Sequence, residues 1–203
     1  MKIVCIGRNY AKHIEELSNE KPSHPVVFIK PDTAVLSKAA PFVIPEYSND
    51  VHYELEIMVK IIKVGKYIQK EFAHKYYDQV GLGIDFTARD LQQQCKEKGL
   101  PWEKAKAFDG SAKIGKWMDK SEFSSVDNLK FQLYKNGDLV QDGDASHMLW
   151  KIDELIAYVS QFFTLKIGDV LFTGTPAGVG PVSEGDDLVG YLEGTENLKL
   201  RIR

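Results

Sequence analysis

Val51-His-Tyr-Glu-Leu-Glu-Ile-Met-Val59 alternates along its length. Tyr53, Leu55, Ile57 and Val59 fall on one side and His52, Glu54, Glu56 and Met58 on the other, the two-residue period of a β-strand. The run predicts one strand over Tyr53–Ile62, and Val80-Gly-Leu-Gly-Ile84 predicts another that leads through Asp85 towards a helix. Further strands are expected at Lys2–Ile6, Val26–Ile29, Phe42–Ile44, Lys130–Lys135, Val170–Thr173, Leu188–Tyr191 and Asn197–Ile202, with turn signals such as Asn136-Gly-Asp138 between them. Helical patterns are few. Tyr10–Leu17 reads as a short helix, Lys70–Gln79 as a turn or two, and Lys151–Phe163 as an amphipathic helix. Another helix follows Thr87, which can cap its start, and Gly99 with Pro101 ends it. Strands that do not alternate regularly with helices disfavour a doubly wound parallel sheet. The expected class is α+β and β-rich, a roll or barrel with a few peripheral helices.

At 203 residues the chain fits one domain, 1–203, with a sizeable core. It is 43% hydrophobic and 27% charged, which excludes a disordered chain. A net charge of −3 with no basic block argues against nucleic acid or an anionic membrane as partner. No stretch is long and apolar enough to span a bilayer, and Ile3-Val-Cys-Ile6, followed at once by Arg8 and Lys12, is too short for a signal-peptide core. Cys5 and Cys95 are therefore expected as reduced thiols in a cytoplasmic protein. Five histidines without a zinc-type spacing argue against a zinc site.

The chemistry-bearing residues are acids first. Glu54 and Glu56 on one face of a strand lie roughly 7 Å apart and repel unless something positive sits between them. With Asp85 they make a set of three oxygen donors suited to a hard cation such as Mg²⁺ or Mn²⁺; a half-exposed strand with two outward glutamates has the same spacing. Asp85, Arg89 and Gln92 at i, i+4 and i+7 would put an acid, a guanidinium and an amide on one helix face, where the last two can hold a substrate carboxylate or simply pair at the surface. His13 and Glu16, three apart, share a face: a carboxylate accepting from one imidazole nitrogen leaves the other basic, and an exposed pair explains the spacing equally. Lys30 and Lys106 are either solvated or held where charge develops on oxygen. Leu171-Phe-Thr-Gly-Thr-Pro-Ala-Gly-Val-Gly180 lacks the pattern of a phosphate loop but can present backbone N–H groups and the Thr175 hydroxyl to a carboxylate.

Six ordered segments together resemble the fumarylacetoacetate hydrolase (FAH) family: Gly7-Arg-Asn-Tyr-Ala-Lys-His13, Phe28-Ile-Lys-Pro31, Tyr53-Glu-Leu-Glu56, Gly83-Ile-Asp-Phe-Thr-Ala-Arg-Asp90, Lys106-Ala-Phe-Asp109 and Gly168-Asp-Val-Leu-Phe-Thr-Gly-Thr-Pro-Ala-Gly-Val-Gly180. The short length looks most like its acylpyruvase/oxaloacetate decarboxylase branch, the FAH-domain-containing protein 1 type. The resemblance implies a mixed β-roll, a homodimer and one Mg²⁺ or Mn²⁺ held by Glu54, Glu56 and Asp85. It implies a His13–Glu16 dyad on a short helix, Lys106 as a further catalytic cation, and Arg89, Gln92, Lys30 and Thr175 around a small 2-oxo acid. Two segments depart from the pattern: Lys113 and Lys116, where relatives more often carry small residues or proline, and Glu193-Gly-Thr-Glu-Asn-Leu198, without the usual Gly-x-Gly.

The implied activity is metal-dependent cleavage of the C–C bond of acylpyruvates to pyruvate and a carboxylic acid. The dyad would activate water. Decarboxylation or tautomerisation of oxaloacetate would use the same stabilised enolate without that water. Two alternatives stand beside it: an isomerase or hydratase of unsaturated 2-oxo diacids, and a non-catalytic, metal-stabilised binding protein.

Overall fold

A computed structural model describes residues 1–16 and 20–203. Its strands are β1 (Ile3–Gly7), β2 (Val26–Lys30), β3 (Val51–Tyr53), β4 (Leu55–Ile61), β5 (Tyr77–Asp85), β6 (Thr87–Ala88) and β7 (Ala112–Ile114). They continue with β8 (Met118–Asp119), β9 (Lys130–Lys135), β10 (Asp138–Asp144), β11 (Val170–Phe172), β12 (Gly180–Pro181), β13 (Asp187–Leu192) and β14 (Thr195–Arg201). The α-helices are α1 (Ala11–Glu16), α2 (Lys70–Ala73), α3 (Arg89–Lys98), α4 (Glu103–Lys106) and α5 (Ile152–Phe162). The seven-stranded sheet runs β2-β1-β11-β4-β5-β7, with β8 also on β5; a second sheet runs β10-β9-β13-β14, and β12-β3-β6 makes a third. β1 and β11 are parallel and their neighbours antiparallel, so the large sheet is mixed and curls into a half-barrel. This is the β-rich α+β class expected.

β4 lies at the centre. Leu55, Ile57 and Val59 face the main core, which Leu133 and Leu188 reach from the four-stranded sheet, while Met58 packs on the other side with Ile3, Cys5 and Phe172. With both faces covered, a half-exposed strand carrying outward glutamates is ruled out.

Several expected elements are corrected. The single strand over Tyr53–Ile62 is broken at Glu54, between β3 and β4. The break is tolerated because Leu55 is bonded from outside the ladder: its N–H donates to Gln141 Oε1 (2.9 Å) and its carbonyl accepts from Thr175 Oγ1 (2.9 Å). Phe42–Ile44 makes only an isolated bridge from Phe42 to Ile202. The helix expected over Lys70–Gln79 ends at Ala73, and Tyr77 already starts β5, whose pairing with β4 outweighs local helical preference. Thr87 does not cap α3; it lies in β6, and Ala88 precedes the helix with no side-chain cap. The Gly99 stop is observed, with φ +63° and the Leu100 N–H donating to Cys95 O at 2.8 Å. The expected helix end at Leu17 lies outside the described residues.

Two turns follow their residues. Asn136 (φ +55°) and Gly137 (φ +93°) close the β9–β10 hairpin, and Glu193 and Gly194 (φ +48° and +76°) close β13–β14. The second departure from the family pattern is thus a hairpin turn. Lys113 and Lys116 also serve the frame, donating to the Lys38 and Glu196 carbonyls at 2.8 and 3.2 Å.

Candidate active site

Strand pairing assembles the acids. Leu55 stands opposite Ile84 and Glu56 opposite Gly83, while the Asp85 N–H donates to the Glu54 carbonyl at 2.9 Å, so the end of β5 brings its acid beside Glu54 at the β3–β4 break and Glu56 on β4. Glu54, Glu56 and Asp85 are each at most 5% exposed, and one carboxylate oxygen from each falls within 4.8 Å of the others. Asp85 reaches this cluster from a strand end; the helix begins only at Arg89, so the expected i, i+4 relation between the two is not helical. Arg89 and Gln92 do share a helix face, and the Arg89 Nη1 donates to Gln92 Oε1 at 2.8 Å.

Buried carboxylates require positive partners. Lys106 Nζ donates to Glu54 Oε2 (2.7 Å), Asp85 Oδ2 (2.9 Å) and Thr87 Oγ1 (2.6 Å), which uses all three of its protons. Arg89 Nη2 donates to Glu54 Oε1 at 2.6 Å. Burial by itself would raise the Glu54 pKa, but Lys106 and Arg89 outweigh it and hold the carboxyl well below its usual range. Burial likewise opposes the Lys106 ammonium, and Asp85 and Glu54 more than offset it. Glu56 is the exception. Burial, then Asp85 and Glu54, push its pKa up, and its hydrogen bond comes from the Gly174 N–H at 2.7 Å. Gly174 takes φ +101°, and a Cβ there would lie 2.7 Å from the Asn9 Cβ, so that backbone donor can approach only as glycine.

Lys30 is fully buried and lies beneath Asp85, 2.7 Å from Oδ1, with its own protons directed to the Lys106 carbonyl and to Ser111. That contact is an ion pair rather than an aligned hydrogen bond, so Asp85 Oδ1 is buried without a donor. Lys30 is not among the residues that line the cavity, and its enclosed ammonium meets the site through Asp85. Three clustered oxygen donors, an undonated Asp85 oxygen and a Glu56 lacking a cation of its own fit a hard divalent ion.

The cavity above the acids is lined by His13, Arg89, Gln92, Lys106 and Thr175 among the expected residues. His13, 6% exposed, places Nδ1 3.0 Å from Glu16 Oε2, and Glu16 Oε1 accepts from the Gly178 N–H at 2.9 Å. His13 is thus buried while Glu16 stays exposed: Glu16 holds one imidazole nitrogen and ties α1 to the 174–180 loop, with Nε2 as the remaining ring nitrogen. The Thr175 hydroxyl is spent within the frame, donating to the Leu55 carbonyl and accepting from Gln141 Nε2 at 2.8 Å. The void measures about 30 Å³, room for one or two water-sized groups, so side chains must give way to a four-carbon acid.

Arg8, Lys96, Phe28 and Trp102 also line the cavity and were not singled out from the sequence. For Lys96 a signal existed, since Arg89, Gln92 and Lys96 recur at i, i+3 and i+7. Arg8 takes φ +60°, a left-handed conformation that costs a non-glycine residue roughly 1–2 kcal/mol, and nothing in the local sequence announces it.

Comparison with known proteins gives the family of the chain. The chain is 41% identical over 200 residues to bovine (Bos taurus) oxaloacetate tautomerase FAHD1, mitochondrial, covering 98% of this chain and 90% of the relative. It is 44% identical over 194 residues to oxaloacetate tautomerase YcgM of Escherichia coli K12, covering 95% and 89%. The crystal structure of fumarylpyruvate hydrolase from Pseudomonas aeruginosa, in complex with Mn²⁺ and pyruvate, superposes with a TM-score of 0.93 at 35% identity, covering 100% of this chain and 89% of that one. Residues 2–203 match the family described as Fumarylacetoacetate (FAA) hydrolase C-terminal, and with that match running through all three sheets the chain belongs to the fumarylacetoacetate hydrolase family.

Proposed function

We propose that the chain is a divalent-metal-dependent enzyme of short 2-oxo acids, with keto–enol interconversion of oxaloacetate as its reaction and acylpyruvate cleavage as a second capacity of the same site. The observation that carries this is the buried cluster of Glu54, Glu56 and Asp85 under a cavity walled by cations and one oriented histidine. The naming of two relatives at 41% and 44% identity as oxaloacetate tautomerases puts tautomerisation ahead of the hydrolysis first expected.

A bound Mg²⁺ or Mn²⁺ supplies Lewis-acid stabilisation of charge on the 2-oxo oxygen. The chain's own groups do the rest. Arg89, whose Nε is buried without a partner, offers that donor to the substrate carboxylate, with Gln92 beside it. Lys106 keeps an ammonium next to the oxygen on which enolate charge develops. His13 Nε2 takes the proton from C3, Glu16 stabilises the resulting imidazolium, and return of a proton to the 2-oxo oxygen completes the enol. For an acylpyruvate the same nitrogen deprotonates a water that attacks the acyl carbon; the C3–C4 bond breaks with its electron pair passing to the pyruvate enolate, and the His13 imidazolium returns the proton to C3, leaving pyruvate and a carboxylic acid. A binding protein without catalysis would have no use for a His–Glu pair held in this way. Cys5 and Cys95, both buried and unpaired, suit the reducing compartment we assign, the cytoplasm.

The test is to strip the protein with a chelator and follow the decay of oxaloacetate enol absorbance, with acetylpyruvate in parallel. Activity is expected to vanish on chelation and return with Mg²⁺ or Mn²⁺. Metal-loaded protein inert towards both compounds would overturn the proposal.

A further inference from the structure

Gln141 is buried and does not line the cavity, yet its amide is bonded to two of the segments that build it. Oε1 accepts from the Leu55 N–H at 2.9 Å, and Nε2 donates to Thr175 Oγ1 at 2.8 Å and to the Pro176 carbonyl at 3.1 Å. Both amide protons are thereby used. The Thr175 hydroxyl in turn donates to the Leu55 carbonyl at 2.9 Å, so Leu55, Gln141 and Thr175 close a ring of three hydrogen bonds. Leu55 is the residue between Glu54 and Glu56.

A β-bulge puts the amide there. β10 shifts register on β9 between Leu139 and Gln141, which leaves Val140 as the extra residue and sets Gln141 opposite Leu133 on the core face. Without the extra residue Gln141 would stand opposite Gln132 and point away from the core. The bulge also meets the loop after β11. Gly178 takes φ +96°, and a Cβ there would collide with the Val140 carbonyl oxygen, so its backbone lies directly against the bulge. The Gly178 N–H is the one that donates to Glu16, and the N–H of Gly174, next to Thr175, is the one that donates to Glu56.

Satisfying the Leu55 N–H at a strand break takes one acceptor. The two bonds from Nε2 go further, because they hold the loop whose N–H groups fix Glu56 on one side and Glu16, with His13, on the other.

We propose that Gln141 is a positioning residue that fixes the three-acid cluster and the His13–Glu16 dyad relative to one another through the 174–178 loop. This rests on the function proposed above and adds to it the residue that holds its two working groups in register.

The test compares Gln141→Met, of similar length without the amide, and Gln141→Asn, one methylene short, with the parent and with Ser160→Ala. Ser160 is a control off the cavity: it is equally buried, and its Oγ accepts from the Ile68 N–H at 2.8 Å. Calorimetry on chelator-stripped protein should show Mn²⁺ bound at least about tenfold more weakly by both Gln141 variants and unchanged in Ser160→Ala. Acetylpyruvate hydrolysis at saturating Mn²⁺ is measured in a cycle with Glu16→Ala. Gln141→Met should lower kcat at least about tenfold in the parent and less than about twofold in the Glu16→Ala background, where the dyad is already undone. Amide hydrogen exchange, which needs neither metal nor turnover, should quicken at Leu55, Gly174 and Gly178 together in both Gln141 variants, and at Ile68 in Ser160→Ala. Equal kcat losses in the two backgrounds, Mn²⁺ affinity unchanged, or exchange quickened at Leu55 alone would each overturn the proposal. If Gln141→Met does not fold, Gln141→Asn decides by the same three measurements. If the parent neither binds Mn²⁺ nor turns over acetylpyruvate, the function proposed above fails, and the exchange pattern still decides whether Gln141 ties the three amides together.

Discussion

Glu56 differs from its two neighbours in what it is given. Glu54 has Lys106 and Arg89, Asp85 has Lys106 and Lys30, and Glu56 has one backbone N–H. It is the acid of the three whose charge a bound cation would relieve most. Glu56→Gln should therefore weaken Mg²⁺ or Mn²⁺ binding by at least about 10²-fold, beyond the 10–100-fold that loss of an outer partner costs; calorimetric titration of the stripped protein reads this directly, and unchanged affinity would remove Glu56 from the ligand set. His13 is the other residue with a sharp expectation. If Nε2 activates water, His13→Ala should slow acylpyruvate hydrolysis about 10²–10⁴-fold, the usual contribution of a positioned base. Oxaloacetate decarboxylation needs no activated water and should fall much less. Assaying both reactions on one preparation separates the readings, and equal loss would mean that the dyad serves closure or folding instead.

At the level of elements, one acid adds to the ladder between β1 and β11. Asp169 precedes β11 and accepts from the backbone N–H groups of Lys2 (3.0 Å) and Lys166 (2.8 Å) and from the Lys2 ammonium, pinning β1 beside its parallel neighbour. Burial would raise its pKa, but these donors prevail and hold it below the usual value. A depressed carboxyl contributes stability in full above the unfolded pKa, about 3.9, and loses it as pH falls through the lower folded value. Asp169→Asn should cost about 1–3 kcal/mol at pH 7. Denaturant titration should show the gap between variant and parent closing as pH falls below the unfolded value and through the lower folded one; a gap independent of pH would show that the charge is not its source. At Glu54 local alternation and tertiary pairing disagree. Alternation predicted one strand through Tyr53–Ile62 because each residue obeys the period, yet the ladder changes partner at Glu54, and the groups that make this possible, Gln141 and Thr175, come from far along the chain.

For the whole molecule, the family resemblance leads to the expectation of a homodimer. Light scattering at working concentration should give about twice the 22.9 kDa of the chain; a mass near the single-chain value would refute it. The β-rich class was legible because alternation and turn residues are local properties, as the Asn136-Gly137 hairpin and the Gly99 helix stop attest. The acids were legible because two sit at the same-face spacing of one strand and the third at the end of another. By itself, then, the sequence determined which segments could be strands, where several of them must turn, and which residue types were available for metal and proton chemistry. The tertiary structure alone decided that β4 is buried on both faces, that Lys30 lies beneath Asp85, that Thr87 serves Lys106 instead of a helix, and that Arg8 and Lys96 line the same cavity. The physical reason is common to all four: burial and electrostatic partnership are set by which strands pair, through contacts between residues dozens of positions apart, and no periodicity within a short window encodes them.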